Sequence, residues 1–178
     1  SSVKSIGNAA FCRCSSLTKI SIPSSIDKIN ESLFHGCTLL SEITIPSSVQ
    51  SIDKFAFMEC ASLIEISIPS TVKSINKNAF YGCSSLKQIS IDLIKTRIDN
   101  ESFSNCCSLN EMIFSTTEKS INHISMISFP QITELRIPSS VTSIEENAFN
   151  KCTTLKTIII PESTNSIGRV NSGMPYLS

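Results

Sequence analysis

The eight cysteines are the residues of this sequence best suited to metal binding or redox chemistry. Zinc sites use close pairs such as Cys-x-x-Cys, whereas the only close pairs here are Cys12 with Cys14 and Cys106 with Cys107. Six cysteines are instead separated by 23 residues or a multiple of 23, and Phe129 occupies the missing position of this series. The series is Cys14, Cys37, Cys60, Cys83, Cys106 and Cys152. Equivalent positions give no reason for one disulfide pairing over another, so we expect buried free thiols that act as small apolar side chains.

Catalytic and cofactor-binding motifs are not recognisable in this sequence. His35 and His123 are the only histidines, and neither lies within a nucleophile motif. Four of the five glycines fall on two positions of the repeat and predict turns, not a phosphate-binding loop. The sequence therefore predicts no enzymatic activity, no cofactor and no metal site.

Charge and hydropathy restrict the partners. Fifteen basic and 15 acidic residues give no net charge, which removes the simplest argument for a nucleic-acid partner. No apolar run approaches the roughly 18 residues that a membrane-spanning helix needs. We therefore expect neither nucleic-acid binding nor a membrane span in this segment.

The 23-residue period extends to the apolar residues, which identifies the chain as a repeat protein. Phenylalanine and leucine columns accompany the cysteines, and an isoleucine column has no exception. The isoleucine column is Ile6, Ile29, Ile52, Ile75, Ile98, Ile121, Ile144 and Ile167. A fixed period of this length is typical of a solenoid, in which stacked coils cover one another's apolar side chains.

Each unit contains segments of different periodicity. Residues 64–68 alternate between apolar and polar side chains and predict a short strand, which Pro69 ends with a turn. Residues 76–83 predict about two turns of helix that begin at a capping Asn76 and end near Gly82. We therefore predict an α/β repeat whose coils have three sides, with parallel strands on one side and short helices on the others.

The domain organisation follows from the same period. We assign residues 1–168 to one solenoid of about seven repeats, irregular over 92–135, and residues 169–178 to a C-terminal cap or an artificial chain end. Asp92 and Ser115 replace the turn proline in the irregular span, which either marks a functional site or reflects sequence drift. Because Val3 already lies in mid-repeat, we expect a segment of a longer protein whose exposed end coils could self-associate.

The order Cys-x-x-Leu-x-x-Ile-x-Ile-Pro-x-x-Val-x-x-Ile-x-x-x-Ala-Phe resembles the BspA-like, or Treponema pallidum-type, leucine-rich repeats of bacterial and protozoan surfaces. The match covers residue 3 to about residue 168. This resemblance implies a right-handed coil with a parallel sheet on its concave face. It also implies adhesion to host or extracellular-matrix proteins and a location at the cell surface or outside the cell, although a cytoplasmic location stays open.

The resemblance also indicates which residues to consider as a binding surface, because outward-facing strand positions would face a partner. These candidates are Lys19, Glu42, Glu65, Gln88, Glu111, Glu134 and Arg136. Glu42 and Glu65 are neighbours in the stack, as are Glu111 and Glu134, and like charges at strand spacing repel. A basic ligand would relieve that repulsion; alternatively, these side chains only solvate an open sheet. We therefore predict a module that binds a protein or glycan, with a structural spacer as the alternative.

Overall fold

The protein is described by a computed structural model that covers residues 3–99, 101–122, 129, 131–149 and 152–168. His123 and the segment 169–178, both considered in the sequence analysis, lie outside these residues. Within them the chain forms fourteen short strands in strict alternation of longer and two-residue segments. The strands are β1 (Lys19–Ser21), β2 (Lys28–Ile29), β3 (Glu42–Thr44), β4 (Ser51–Ile52), β5 (Glu65–Ser67), β6 (Ser74–Ile75), β7 (Gln88–Ile91), β8 (Arg97–Ile98), β9 (Glu111–Phe114), β10 (Ser120–Ile121), β11 (Glu134–Arg136), β12 (Ser143–Ile144), β13 (Thr157–Ile159) and β14 (Ser166–Ile167).

The strands pair in parallel with the equivalent strands of neighbouring coils, which confirms the predicted solenoid with parallel strands. The register keeps the sequence period, as in Ile89 opposite Met112. On the first side of each coil the sheets are β1-β3 and β5-β7-β9-β11-β13. On the second side they are β2-β4-β6-β8 and β10-β12-β14. The proline between these sides ends one strand because it lacks the N–H needed to extend the ladder.

The short helices predicted for the other two sides are wrong for the described residues, which contain no helix: the second side carries two-residue strands, and the third side a series of turns. Asn78 and Gly82 have φ angles of 57° and 73°, in the left-handed region that interrupts a right-handed helix. Between them the N–H of Phe80 donates to Ser102 of the next coil at 2.8 Å, while the N–H of Tyr81 donates to Asn78 at 3.2 Å. Successive N–H groups thus donate alternately to the next coil and within the same turn. This alternation replaces the hydrogen-bonding pattern of a helix.

The interior is a stack of identical side chains. Phe11, Phe34, Phe57, Phe80 and Phe103 stack with ring centroids 4.9–5.6 Å apart. Four thiols donate a hydrogen bond to the backbone carbonyl of a phenylalanine in the preceding coil, as Cys60 Sγ does to Phe34 O at 3.2 Å. These are the thiols of Cys37, Cys60, Cys83 and Cys106. Cys14 alone in its series is exposed. Burial raises the pKa of the Cys37 thiol to about 11, so this group stays protonated and inert at neutral pH.

The irregular span keeps the period but changes its turns. Asp92 is fully buried, and its Oδ1 accepts hydrogen bonds from the N–H groups of Ile94 and Lys95 at 3.0 and 3.2 Å. This carboxylate replaces the proline of the other coils as the organiser of the turn. Strands β7 and β9 each gain one residue here, and within the described residues no ladder joins β8 to β10. The second side of the solenoid is therefore divided at the irregular coils.

Candidate binding surface on the concave face

The seven candidate residues lie on one face of the solenoid. Lys19 is opposite Glu42, and the register from β5 to β11 aligns Glu65, Gln88, Glu111 and Glu134. Strand alternation produces this arrangement, since Ile66 is 3% exposed while its neighbours in β5 point outward. Arg136 belongs to the same face because it lies two residues after Glu134. The structure thus brings together every residue that the sequence analysis selected for a binding surface.

A cavity of about 540 Å³ lies on this side of the solenoid, against β3, β5 and β7. We call the side that carries the seven candidate residues the concave face. The cavity is lined by polar side chains of neighbouring coils, including Glu42, Thr44, Glu65, Ser67 and Ser90, and by the apolar residues Ile43, Ile45, Ile66, Pro69 and Ile113. Hydroxyl and carboxylate oxygens supply most of its hydrogen-bonding groups, and the isoleucines add apolar surface, so the cavity suits a partner with both polar and apolar groups.

The first part of the concave face contains one weak ion pair. Lys19 Nζ and Glu42 Oε2 are 2.5 Å apart, and their side chains are 73% and 65% exposed. The hydrogen bond from Lys19 lowers the pKa of Glu42, and the same bond raises the pKa of Lys19. Because water screens both groups, the pair contributes little to stability.

In the later part of the concave face one arginine bridges two glutamates. Arg136 lies 2.6 Å from Glu111 through Nε and 2.8 Å from Glu134 through a terminal nitrogen. The hydrogen bond with Glu111 is the main reason that the pKa of Arg136 is raised. Gln88 Nε2 also donates to Glu111 at 3.1 Å. The predicted repulsion between Glu111 and Glu134 is therefore relieved within the chain.

The sheet is open between β3 and β5, where Glu42 faces Glu65. These two strands belong to different sheets, and no backbone hydrogen bond joins Glu42–Thr44 to Glu65–Ser67. The two coils remain joined on either side of the opening, by Ser62 N to Thr38 O at 3.1 Å and by Lys73 N to Gln50 O at 2.8 Å. Among the described residues Glu65 has no ion-pair partner. The repulsion between these two carboxylates could be predicted from the sequence, but the missing ladder could not.

Two exposed apolar side chains lie beside this opening. Leu39 is 52% exposed and Ile64 is 50% exposed, on adjacent coils and two positions apart in the repeat. Sequence analysis missed Leu39, although the column could have revealed it because Ser16, Ser62 and Ser85 occupy the equivalent positions. Both residues add exposed apolar surface close in the chain to Glu42 and Glu65.

Other chemistry has little support in the part of the chain that the structure describes. Within it, no group of three or more His, Cys, Asp or Glu side chains could hold a metal ion. His35 Nε2 lies 3.6 Å from the exposed Glu59 carboxylate, which is an ordinary surface contact. No helix among the described residues is long and apolar enough to cross a membrane.

A solenoid of 23-residue coils with parallel strands on a concave face defines the leucine-rich-repeat class of protein. The family model of the BspA type leucine rich repeat region matches residues 4–125 and 94–171, with six copies. The chain belongs to this family, which confirms the resemblance seen in the sequence.

Solved structures agree with this assignment. The chain is similar to the Treponema pallidum leucine-rich repeat protein, with 27% identity, a TM-score of 0.58 and coverage of 92% of this chain and 65% of that one. It is also similar to a leucine-rich repeat protein from Eubacterium ventriosum, with 25% identity, a TM-score of 0.58 and coverage of 86% and 41%. A third, from Bacteroides ovatus, has 26% identity, a TM-score of 0.50 and coverage of 92% and 54%. The chain therefore spans about half the length of the solved proteins it matches. No curated protein matches the chain in sequence.

Proposed function

We propose that the concave face binds a protein or a glycan, and that the protein is an adhesion-type module located at the cell surface or outside the cell. The cavity of about 540 Å³ is the observation that carries this proposal, because it is lined by polar and apolar side chains from several stacked coils. Leucine-rich repeats are a general protein-interaction fold, which supports the proposal. Host or extracellular-matrix proteins are the partners that the family resemblance suggests.

The expected interface is broad and polar. The chain has no tryptophan and only two tyrosines, so the aromatic anchors of most high-affinity interfaces are scarce. Binding would then depend on many hydrogen bonds and ion pairs distributed over several coils. Such an interface gains specificity from charge complementarity more than from buried apolar area.

The test is to replace Glu42, Glu65, Glu111 and Glu134 together with Lys and to measure binding of the protein to cultured cells and to immobilised matrix proteins. A matched control places the same charge change away from the concave face, on the exposed Asp27, Glu31, Glu146 and Glu162. We expect the concave variant to bind at least about tenfold more weakly, and the control to bind as the unaltered protein does. Equal loss in both variants, or in neither, would contradict the proposal.

A structural spacer is the second candidate, favoured by the continuous stack of phenylalanine rings through five coils. A spacer would retain its function in the concave variant, because its role depends on length and rigidity and not on surface charge. Self-association is a related proposal, in which Val3 and Ile167, 44% and 46% exposed, form contacts between end coils. Sedimentation velocity at several concentrations measures this association.

A further inference from the structure

The geometry points to a specific occupant for the opening in the concave sheet. We propose that Glu42 and Glu65 bind an arginine side chain from an exposed segment of a partner protein, and that Leu39 and Ile64 contact the apolar residues beside it. This inference rests on the proposed function and adds a location and a partner chemistry to it.

Glu111 and Glu134 form an equivalent pair of glutamates in which an arginine already lies between the two carboxylates. Glu111 and Glu134 stand in the same register relation as Glu42 and Glu65, three coils further along. There Arg136 lies 2.6 and 2.8 Å from the two carboxylates, and β9 and β11 are fully paired. A guanidinium is planar and has several donors, so it can bind two carboxylates at once.

The earlier pair lacks this arginine. Ser67 occupies in β5 the place that Arg136 occupies in β11, and serine can neither reach nor neutralise two carboxylates. The ladder between β3 and β5 is missing at this place, while the coils on both sides of the opening stay joined. Two carboxylates at this register repel each other, the missing ladder lies between them, and Lys19 compensates only Glu42. A guanidinium from outside would remove the repulsion and allow the two strands to pair.

The surroundings favour an arginine within a protein segment over a free cation. Leu39 and Ile64 provide apolar surface for a side-chain stem and for neighbouring residues of the partner. Glu42 is engaged only by Lys19, whose side chain is 73% exposed and therefore weakly held and displaceable. A metal ion would need more ligands than these two carboxylates, and no third His, Cys, Asp or Glu among the described residues joins them in a group that could hold one.

The first experiment compares two peptides, one with the sequence Leu-Arg-Leu between glycines and the same peptide with neutral citrulline in place of arginine. Amide chemical shifts of the ¹⁵N-labelled protein report binding. We expect the arginine peptide to bind in the millimolar range and to shift the amides of Glu65 and Ser67, and the citrulline peptide to bind at least about tenfold more weakly. Equal binding of both peptides, or binding of neither, would overturn the proposal.

Substitution at Ser67 provides the second experiment. Ser67→Arg places an internal guanidinium where Arg136 lies in the later pair, so we expect β3 and β5 to pair and the arginine peptide to lose its site. Ser51→Arg is the control, because it introduces the same residue on the second side, in the column that already contains Arg97. Arg136→Ser should create a second peptide site at Glu111 and Glu134. Unchanged peptide binding in Ser67→Arg would refute the inference.

Binding to cells and matrix proteins separates this inference from the proposed function. If Ser67→Arg and the fourfold concave variant both lose this binding, both proposals are supported. If the fourfold variant alone loses it, the concave face binds a partner but the arginine site is not where it docks, and the inference fails. If neither loses it, both proposals fail.

Discussion

Replacement of Phe57 by alanine tests the stacked core more directly than any other single change. Phe57 is fully buried, and its ring lies 5.3 Å from the ring of Phe34 and 5.0 Å from that of Phe80. Removal of the side chain forfeits about 2–3 kcal/mol of apolar burial. It also removes two aromatic contacts of about 0.5–1.5 kcal/mol each and leaves a cavity. We expect the free energy of unfolding to fall by about 4 kcal/mol.

Urea unfolding followed by circular dichroism measures this change, since the chain has no tryptophan to report by fluorescence. Phe11→Ala is the matched control, because Phe11 is only partly buried and stacks on Phe34 at 5.6 Å. We expect this control to cost about half as much. If both variants lose the same stability, the ring stack does not make the inner coils more stable than the outer one, and the reasoning is refuted.

Three further changes test individual turns and the thiols. Gly82→Ala should lower the free energy of unfolding by about 1 kcal/mol, because the φ angle of 73° at Gly82 is strained for alanine. The space itself is sufficient, since the atom nearest to the new Cβ would be 3.6 Å away. An unchanged thermal midpoint would contradict this prediction. Asp92→Ala should lower the free energy of unfolding by about 1–3 kcal/mol, because two backbone N–H groups lose their acceptor. The control Asp99→Ala, at an exposed position, should lower it by less than about 0.5 kcal/mol in the same urea assay. The pKa of Cys37 is raised in the folded state from 9.0 to about 11. The stability that comes from this shift is therefore complete below pH 9 and is lost as the pH rises to 11. The urea midpoints at pH 8 and pH 11 should differ less in Cys37→Ala than in the unaltered protein.

The repeat and its core could be predicted from sequence because every coil has apolar residues at the same positions. Seven equivalent positions of a column, such as that of Leu63, show that the position is apolar even where one coil departs from the rule. The strands were predictable for a similar reason, since alternation around Ile66 is a local property of an extended chain. The binding-surface residues followed from that alternation, which sets the side chains that point outward.

The third side of each coil could not be predicted in this way. Asn76 and Gly82 are capping residues in a helix, and sequence alone does not distinguish that use from a series of turns. The distinction depends on the next coil, because Ser102 and Ser104 accept the N–H groups that a helix would use internally. A local sequence pattern contains no information about hydrogen-bond acceptors that come from the next coil of the stack.

Residue spacing along the chain is enough to define the 23-residue coil, the buried columns and the face that carries the glutamates. Which glutamates are bridged by a cation depends on how the coils stack. Arg136 reaches Glu111 across the sheet, while Ser67 leaves Glu42 and Glu65 without a bridge. Electrostatic interactions depend on distances between side chains of different coils, and those distances exist only once the coils are stacked.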